Sequence, residues 1–485
     1  MTSLGTLGVL VGLYVAAVVA VGLAARHKAS GSPEEYFLAG RGLGTVVLFM
    51  ALFGTNATAF VLVGIPGKAY HDGVGTFGVN APIIALGIPL TFWAIGSPAR
   101  RMATRLGALT PAELYAKRFG SPRLGLVFFA CFTLYTLPYM VTAVKGAALT
   151  LASVSGGAVP EWLGGLGVVA VALLYTTLGG MRATAWTNVL QGSLFLVFMV
   201  AAFFFMSHSL GGLAEATAAV ARERPELLTI TREGLFAPAA WTSWGLAISL
   251  TVIGFPHMLV RLMSGKSEDA LKGVCRLYPV ALLALWVPAV LIGVWGAAAF
   301  PGLEGRASDT IFALMSAHHM PSMLAALGFL AVLAAVMSTL DAQILTLGSM
   351  LTRDVLDVTK GEDPARDVRL GRIFGAVVAG ATYVLSQLWG ASVFDIARLA
   401  FSGYVTLVPA LFFGVRWPRF TVQGAAASIV SGNVVYGLGL AKLLPLMGFL
   451  PVFWALLAAI GAGVGVSLLT SPSDDELTER AFGRA

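Results

Sequence analysis

The chain has 485 residues, of which 57% are hydrophobic and only 11% are charged. Soluble domains are about 25% charged, so this composition excludes an ordinary soluble protein and indicates a membrane protein. The net charge of +7 could suggest nucleic-acid binding, but basic residues in membrane proteins usually report orientation. The cysteines, Cys131 and Cys275, are far apart and form no CxxC or Cys/His spacing, so neither a disulfide framework nor a zinc site is predicted.

Apolar segments long enough to cross ~30 Å of hydrocarbon recur along the whole chain. The first segment lacks an Ala-x-Ala cleavage pattern after a basic start, so it is predicted to be a retained helix rather than a signal peptide. We therefore expect an all-α polytopic membrane protein in which residues 1–485 form a single transmembrane domain within a lipid bilayer. About thirteen transmembrane helices are predicted, numbered as spans 1 to 13: 5–25, 45–66, 76–97, 123–153, 163–178, 187–208, 241–262, 277–300, 322–349, 371–389, 394–415, 421–442 and 449–470.

The distribution of Lys and Arg residues predicts the orientation of these spans. With the C-terminus inside, most basic residues fall in loops on the inner side, Lys28, Arg261, Lys360 and Arg484 among them. The loops on the outer side then hold only Lys68, Arg222, Arg224, Arg232, Arg306 and Lys442. By the positive-inside rule, we expect a protein of the inner (plasma) membrane with its N-terminus outside and its C-terminus in the cytoplasm. The net charge is then explained without a nucleic-acid partner, and no obligate protein partner is evident.

Spans 2 and 7 are interrupted by polar residues and glycines at mid-depth, in ALFGTNATAFVLVGIPG and WTSWGLAISLTVIGFPH. The interrupting residues are Gly54, Thr55, Asn56 and Thr58 in span 2, and Ser249, Thr251 and Gly254 in span 7. Unwound backbone is tolerated at this depth where it lines a cavity, and paired broken helices mark the substrate sites of transporters. The alternative is that the glycines only permit close helix packing. We predict two inverted five-helix repeats, 45–208 (spans 2–6) and 241–415 (spans 7–11).

Span 9 contains MSTLDAQILTLGSMLTRD, in which two adjacent hydroxyls precede a carboxylate. The hydroxyls of Ser338 and Thr339, with the carbonyl of Ala335 one turn earlier, would make an uncharged oxygen cage. Such a cage suits a small alkali cation, sodium foremost, because calcium sites usually contain several carboxylates. The alternative is that both hydroxyls bond back to carbonyls of their own helix, as Ser and Thr commonly do in membrane helices.

Two charged residues fall inside predicted spans. An ionised Asp341 in hydrocarbon is costly unless it is paired or hydrated, so it is expected to face the interior of the bundle. It would lie near the cation, carry a proton, or pair with a basic residue, for which Lys145 in span 4 is the first candidate. Lys145 could instead contact an anionic solute, or extend its amine to the membrane surface.

Five stretches together resemble the sodium:solute symporter family, in that family's order: EEYFLAGRGLG, TPAELYAKRFG, YTTLGGMRATAWTNVLQG, GFPHMLVR and MSTLDAQILTLGSMLTRD. The resemblance covers spans 2 to 11. It implies thirteen helices, a core of two inverted repeats as in the bacterial leucine transporter fold, and alternating access coupled to Na⁺, with no organic cofactor. It also implies a sodium site made by the carbonyls of Gly54, Ala57 and Ala335 and the hydroxyls of Ser338 and Thr339.

The sequence departs from the proline symporters of that family, which carry aspartates where this chain has Asn56 and Asn188. This makes proline a weaker expectation and puts a second, carboxylate-assisted cation site in doubt. The segment LPYMVTAVKG is closer to the monocarboxylate-type members, which a buried Lys145 would suit.

We therefore expect a sodium-coupled symporter that imports a small organic solute, a monocarboxylate or an amino acid. The expected solute contacts are Thr55, Asn56, Thr58, Tyr139, Lys145 and Ser249. Proton coupling through Asp341 and a transporter-like sensor without flux remain alternatives. A membrane enzyme is disfavoured, because HExxH and GxSxG are absent from the sequence and no acidic pair or His/Cys pair shares a predicted depth.

Overall fold

The computed structural model describes residues 4–26, 33–356 and 364–483. Lys28, Lys360 and Arg484, which contribute to the predicted orientation, lie outside these residues. Within the described ranges the regular structure is helical, and the chain forms no β-strand there beyond an isolated bridge between Leu43 and Gly265.

The α-helices, numbered in chain order, are α1 (Leu4–Arg26), α2 (Pro33–Leu38), α3 (Thr45–Asn56), α4 (Ile65–Asp72), α5 (Gly75–Gly78), α6 (Ala81–Thr91), α7 (Ser97–Leu106), α8 (Pro111–Phe119), α9 (Pro122–Val154), α10 (Glu161–Ser209), α11 (Leu213–Glu223), α12 (Pro238–Gly254), α13 (Pro256–Met263), α14 (Glu268–Ala299), α15 (Ile311–His319), α16 (Ser322–Met350), α17 (Pro364–Leu388), α18 (Val393–Val405), α19 (Val408–Arg416), α20 (Val422–Leu440), α21 (Pro451–Leu469) and α22 (Asp475–Phe482). Single π-helical turns occur at Phe60–Gly64, Phe92–Gly96 and Leu351–Val355.

Each of the thirteen predicted spans coincides with helix. In the described residues, 8 helices are long and apolar enough to cross a membrane, and counting each bent helix pair as one span raises the number to 10. The remaining predicted spans fall on the first part of α10, on α17 and on α20. The apolar helix Glu161–Leu174 at the start of α10 is short, and α17 and α20 do not reach the length and hydropathy of the 8 spans.

Both predicted interruptions are sharp bends. The helix Thr45–Asn56 meets Phe60–Asp72 at 53°, and α12 meets α13 at 55°. The first bend interrupts span 2 and the second interrupts span 7, as the glycine and polar residues predicted. Both spans therefore have the broken backbone that is expected if the paired broken helices mark a substrate site.

The span that contains α16 forms the centre of the bundle. Its most apolar window is 83% buried inside the protein, whereas that of α1 is only 17% buried. Helix α16 packs against α3, α9, α10 and α17, so its polar residues face other helices. The hydroxyls and the carboxylate of span 9 are consequently interior groups.

Candidate ion and solute sites

The end of α3 leaves backbone carbonyls free to bind other groups. Ala57 adopts an extended conformation, with φ −81° and ψ 100°, so α3 stops there. The hydroxyl of Thr58 accepts a hydrogen bond of 3.0 Å from the amide of Phe60 and thereby caps the next helical segment. The last carbonyls of a helix have no partner within it, and those of Gly54 and Thr55 turn to α16 instead.

The hydroxyls of Ser338 and Thr339 bridge α16 to the end of α3. Ser338 Oγ donates to the carbonyls of Gly54 at 2.7 Å and Ala335 at 2.9 Å. Thr339 Oγ1 donates to the carbonyls of Thr55 at 2.9 Å and Ala335 at 3.0 Å. These oxygen atoms are called the oxygen cluster below. Each hydroxyl thus bonds back to its own helix and also reaches across to α3, while its role in an ion cage stays a prediction.

Gly54, Ala335, Ser338 and Thr339, which the sequence predicted as ligands, therefore lie together. The carbonyl of Thr55, which was not among the predicted ligands, belongs to the same cluster. Ala57, the remaining predicted ligand, lies one step further along in the unwound segment and lines the neighbouring cavity. Its role as a ligand stays a prediction.

The oxygen cluster is chemically suited to a hard monovalent cation. Its carbonyl and hydroxyl oxygens are uncharged, and Ser338, Thr339 and Thr55 are completely buried. The described residues contain no group of three or more His, Cys, Asp and Glu side chains that could hold a metal ion. Transition metals prefer such side chains, and calcium sites usually include carboxylates.

Asn188 on α10 connects the oxygen cluster to a buried charge. In the amide orientation that satisfies its neighbours, its oxygen accepts from Thr55 Oγ1 at 2.8 Å and from the Arg261 guanidinium at 3.0 and 3.1 Å. Its nitrogen donates to the Thr184 carbonyl at 3.1 Å and to Gln191 Oε1 at 3.0 Å. A polar chain therefore runs from the cluster to α13, which carries Arg261.

The partner of Asp341 is Arg261, and the predicted pairing with Lys145 is wrong. Arg261 Nη2 lies 3.9 Å from Asp341 Oδ1, and both side chains are completely buried. The structure also corrects the placement of Arg261 in an inner loop: α13 continues span 7 after its bend and is packed inside the bundle. The helix bend accordingly carries a basic residue into the core, where it can offset the charge of Asp341.

Lys145 lies toward the helix connections at one end of the bundle rather than at the oxygen cluster. Its ammonium donates to the carbonyl of Trp389, in the connection that follows α17. The charged residues that act on it are Glu161, Arg306 and Asp309, in or next to connections between helices. The residue is 3% exposed, so its ammonium is held inside the protein, and both the solute contact and the extension to the membrane surface stay predictions.

A narrow cavity of about 20 Å³ lies beside the first bend. The residues that line it come from the unwound segment and the surrounding helices: Asn56, Ala57, Phe60, Val61, Ile84, Ile88, Ile248, Thr251, Val252, Leu282, Trp286 and Phe401. This volume holds about one water molecule and is far below the ~300–1,000 Å³ of ligand pockets. The walls would therefore have to separate before a solute could enter.

The predicted solute contacts do not all reach this cavity. Asn56 lines it, while Thr55 and Thr58 are buried beside it. Tyr139 does not line the cavity; its ring centroid lies 5.1 Å from that of Phe401, which does. Ser249 instead donates to the Gly245 carbonyl at 2.8 Å and lines a separate outer groove with Arg232 and Trp241.

Sequence reasoning did not assign to the cavity wall two of its residues that carry polar groups, Thr251 and Trp286. Thr251 was visible as a polar residue of span 7, one helical turn before its bend. The sequence did not single out Trp286, because a tryptophan within an apolar span is equally expected in the protein core and at the membrane interface. The contacts of both became apparent only from the packing of α12 and α14.

This architecture defines a class of protein. Bent, discontinuous helices in the middle of a helical bundle, with uncharged oxygens at one bend, are the arrangement of secondary transporters. The family model described as "Sodium:solute symporter family" matches residues 36–432. The chain therefore belongs to the sodium:solute symporter family.

Known proteins are similar over nearly the whole chain. Sodium/proline symporters of Staphylococcus aureus strains JH9 and COL are each 26% identical over 97% of this chain and 93% of their own length. Among solved structures, a Na⁺-coupled sialic acid symporter in a substrate-bound outward-open state aligns with a TM-score of 0.79 at 18% identity, covering 97% of this chain and 99% of the other. A nucleobase-cation-symport-1 family transporter aligns with a TM-score of 0.61 at 18% identity, covering 93% and 99%. These similarities confirm the expected transporter fold.

Proposed function

We propose that the protein is a sodium-coupled symporter that imports a small organic solute, a monocarboxylate or an amino acid. The observation that carries the proposal is the oxygen cluster, in which Ser338 and Thr339 of α16 meet the free carbonyls of Gly54 and Thr55. Membership of the sodium:solute symporter family and the names of the similar symporters support sodium as the coupling ion. We place the protein in the inner (plasma) membrane with its N-terminus outside, on the positive-inside distribution.

In this mechanism sodium is a transported substrate that binds between α3 and α16. The cluster oxygens would replace part of the hydration shell, and the absence of a carboxylate among them keeps binding weak enough for release inside. Asn56 and Ala57 follow the cluster residues directly and line the cavity. Ion binding at the end of α3 would therefore position the solute site and favour solute binding after sodium.

The membrane potential makes such coupling useful. An inside-negative potential of 100 mV supplies ~2.3 kcal/mol for each positive charge moved inward. This free energy corresponds to about fiftyfold accumulation of a neutral solute per sodium ion, before any sodium gradient is counted. A single weak cation site is thus sufficient for concentrative uptake of a zwitterionic amino acid. A monocarboxylate anion that moves with one sodium ion carries no net charge across the membrane, so its uptake would draw on the sodium gradient alone.

Proton coupling through Asp341 is the second candidate. A proton carrier has to gain and lose its proton during each cycle, whereas a neighbouring guanidinium favours a permanently ionised carboxylate. The burial of Arg261 at 3.9 Å from Asp341 therefore favours a structural ion pair. Sodium coupling remains our proposal, and Asp341→Asn separates the alternatives because it would abolish proton-driven uptake.

The test is uptake into proteoliposomes with labelled acetate, pyruvate, lactate, proline and pantothenate, with and without an inward sodium gradient. Ser338→Ala and Thr339→Ala should each raise the half-saturating sodium concentration by roughly ten- to a hundredfold, since one interaction with a charged group contributes about 1.5–3 kcal/mol. Thr339→Ser, which retains the hydroxyl, should restore most of the affinity.

Ser349→Ala is the matched control. Ser349 lies on the same helix and donates to the Leu345 carbonyl at 2.6 Å, remote from the cluster, so its loss should leave the sodium dependence unchanged. Uptake that ignores sodium and follows a pH gradient would overturn the proposal in favour of proton coupling. Solute binding without any flux would instead indicate a sensor.

A further inference from the structure

The outer groove, which lies between α6, α12 and the segment 230–236, is much larger than the central cavity. Its volume is about 920 Å³, near the upper end of the ~300–1,000 Å³ of ligand pockets. It follows the seam where α12 packs against α6, at which a Cβ on Gly87 would lie only 2.6 Å from Ser249. This groove therefore has room for a ligand without any movement of the helices.

The groove opens toward the bilayer. Leu246 in its wall is 38% exposed. Ile83 of α6 also lines it, and Leu86 and Leu90, on the same face of α6 one and two turns further along, are 73% and 66% exposed. Water is absent at this depth of a membrane, so lipid chains cover these leucines.

The groove has the depth and the chemistry of one leaflet. Along α12 it extends from Pro238 to Ser249, which is ~16 Å at about 1.5 Å per residue, or about half of the ~30 Å hydrocarbon core. The hydroxyls of Thr242 and Ser249 donate to the carbonyls of Pro238 and Gly245, each at 2.8 Å, so the deep part of the groove presents mainly apolar surface. Trp241, in the first turn of α12, marks the shallow end, because tryptophans are enriched at the level of lipid headgroups.

Arg232 adds a positive charge at this shallow end, in the connection before α12. Most other basic residues of the predicted outer loops form an ion pair with a carboxylate: Lys68–Asp72, Arg222–Glu215, Arg224–Glu226 and Arg306–Glu161. Arg232 is exposed, lines the groove and forms no ion pair with a described residue. The adjacent Glu233 does not line the groove. An anionic group above the apolar floor is therefore the complementary partner.

We propose that the outer groove binds an anionic phospholipid whose phosphate contacts Arg232. One acyl chain would follow α12 inside the groove, and the second would cover Leu86 and Leu90 of α6. A guanidinium suits a phosphate because its planar fork can donate two parallel hydrogen bonds. A zwitterionic lipid would gain less, since its own ammonium group offsets the charge that Arg232 would bind. This site is separate from the oxygen cluster and does not depend on sodium coupling.

The first experiment measures the binding of two phospholipids to the purified protein. Native mass spectrometry from a mild detergent gives the Kd of phosphatidylglycerol and of phosphatidylcholine with identical chains. The wild-type protein should bind phosphatidylglycerol about fivefold more tightly, which is the contribution of one basic residue near a membrane surface. Arg232→Gln should remove this preference, whereas the matched control Arg222→Gln, on α11 of the same connection, should keep it. Equal affinities in the wild-type protein, or a preference that survives Arg232→Gln, would overturn the proposal.

The second experiment tests the position of the acyl chain. Leu246→Trp places a larger side chain in the groove and should weaken the binding of both lipids at least fivefold. Val434→Trp, at a 53% exposed position of α20 outside the groove, is the matched control and should bind both lipids as the wild-type protein does. Unchanged binding in Leu246→Trp would show that the lipid lies elsewhere.

Oleate distinguishes a phospholipid from a free fatty acid in the same experiment. A single chain buries less apolar surface than two, so an equal concentration of oleate should leave phosphatidylglycerol bound. Displacement of phosphatidylglycerol by oleate would assign the groove to a fatty acid and overturn the proposed phospholipid.

Discussion

The two bent spans have nearly the same angle, 53° and 55°, but they differ in chemistry. At the first bend the residues 57–59 separate two helical segments, and the surrounding groups are carbonyls, hydroxyls and an amide. At the second bend Phe255 alone separates α12 from α13. The ring of Phe255 packs 4.8 Å from Tyr404, 4.9 Å from Tyr139 and 5.3 Å from His257. The first bend combines these polar groups with aromatic packing around Phe60, whereas the surroundings of Phe255 at the second bend are mainly aromatic rings.

The causes of the two bends differ as well. Pro256 has no amide hydrogen and forces the residue before it into an extended conformation, which Phe255 adopts with φ −71° and ψ 120°. No proline stands at the first bend, where an extended Ala57 and the cap of Thr58 end one helix and begin the next. We infer that the second bend is fixed by covalent geometry, whereas the first depends on its contacts with α16 and can respond to an ion.

A buried polar chain connects the two bends. Arg261, in the helix after the second bend, contacts Asn188, and Asn188 contacts Thr55 at the first bend. Asp341 on α16 completes the chain through its pairing with Arg261. The second bend, which is fixed by Pro256, therefore supports the first bend, which can respond to an ion. The following substitutions test this difference between the bends, from the largest expected effect on stability to the smallest.

The Arg261–Asp341 pair should give the largest effect. Removing one partner, in Arg261→Met or Asp341→Leu, leaves the other charge buried and should lower the free energy of unfolding by about 3–5 kcal/mol. The double variant Arg261→Met/Asp341→Leu should lose less than the sum, since no lone charge remains. Chemical denaturation in detergent micelles measures all three variants. Strict additivity would show that the two residues do not interact.

The free energy of unfolding should depend on pH through Asp309, which lies next to α4 of the first bent span. Its carboxylate accepts a hydrogen bond of 2.9 Å from the Val393 amide and packs against Gly67 of α4. Burial raises the pKa of Asp309 to about 7, with Lys145 opposing and Asp395 adding to the shift.

Between about pH 4 and 7 the native protein therefore binds the extra proton, because the unfolded chain has the ordinary lower pKa. This contribution to stability is complete below about pH 4 and is lost as the pH rises through 7. We expect a loss of roughly 2 kcal/mol between pH 5 and 7, and a flatter profile in Asp309→Asn. Equal slopes in the two proteins would contradict the assignment.

Phe255→Leu tests whether the aromatic bend is only a support. Loss of its ring contacts should lower the free energy of unfolding by about 1–2 kcal/mol, since each aromatic pair contributes about 0.5–1.5 kcal/mol. The half-saturating sodium concentration should not change, because Pro256 still fixes the bend. A large change in sodium dependence would show that both bends respond to the ion.

Thr58→Ala should have the smallest effect on stability and a larger one on sodium. Loss of the cap should lower the free energy of unfolding by about 1 kcal/mol. The half-saturating sodium concentration should rise, because the carbonyls at the end of α3 become less ordered. Thr58→Ser retains the cap and should behave as the wild-type protein in both measurements. A sodium dependence unchanged by Thr58→Ala would weaken the distinction between the bends.

Sequence patterns were sufficient for the helical class and for both bends, because apolar length, glycine and proline act locally. They also predicted Gly54, Ala335, Ser338 and Thr339, which the structure brings together, although sodium binding there remains a proposal. The partner of Asp341 was beyond local reasoning: Arg261 ends an apolar run, and only the 55° bend turns it inward. The place of Trp286 in the cavity wall could not be predicted either, since it depends on packing against side chains that are far away in the sequence.

The complete burial of Arg261 and Asp341 also affects how transport should be assayed. Dissolved ions screen charges that water can reach, with a Debye length of ~8 Å at physiological ionic strength, but screen buried pairs far less. Exposed pairs such as Arg222–Glu215 weaken as salt is added, while the pair in the core keeps its strength. Replacing sodium by choline at constant ionic strength therefore leaves the core electrostatics intact. Any remaining change in uptake then reports the identity of the cation rather than the concentration of salt.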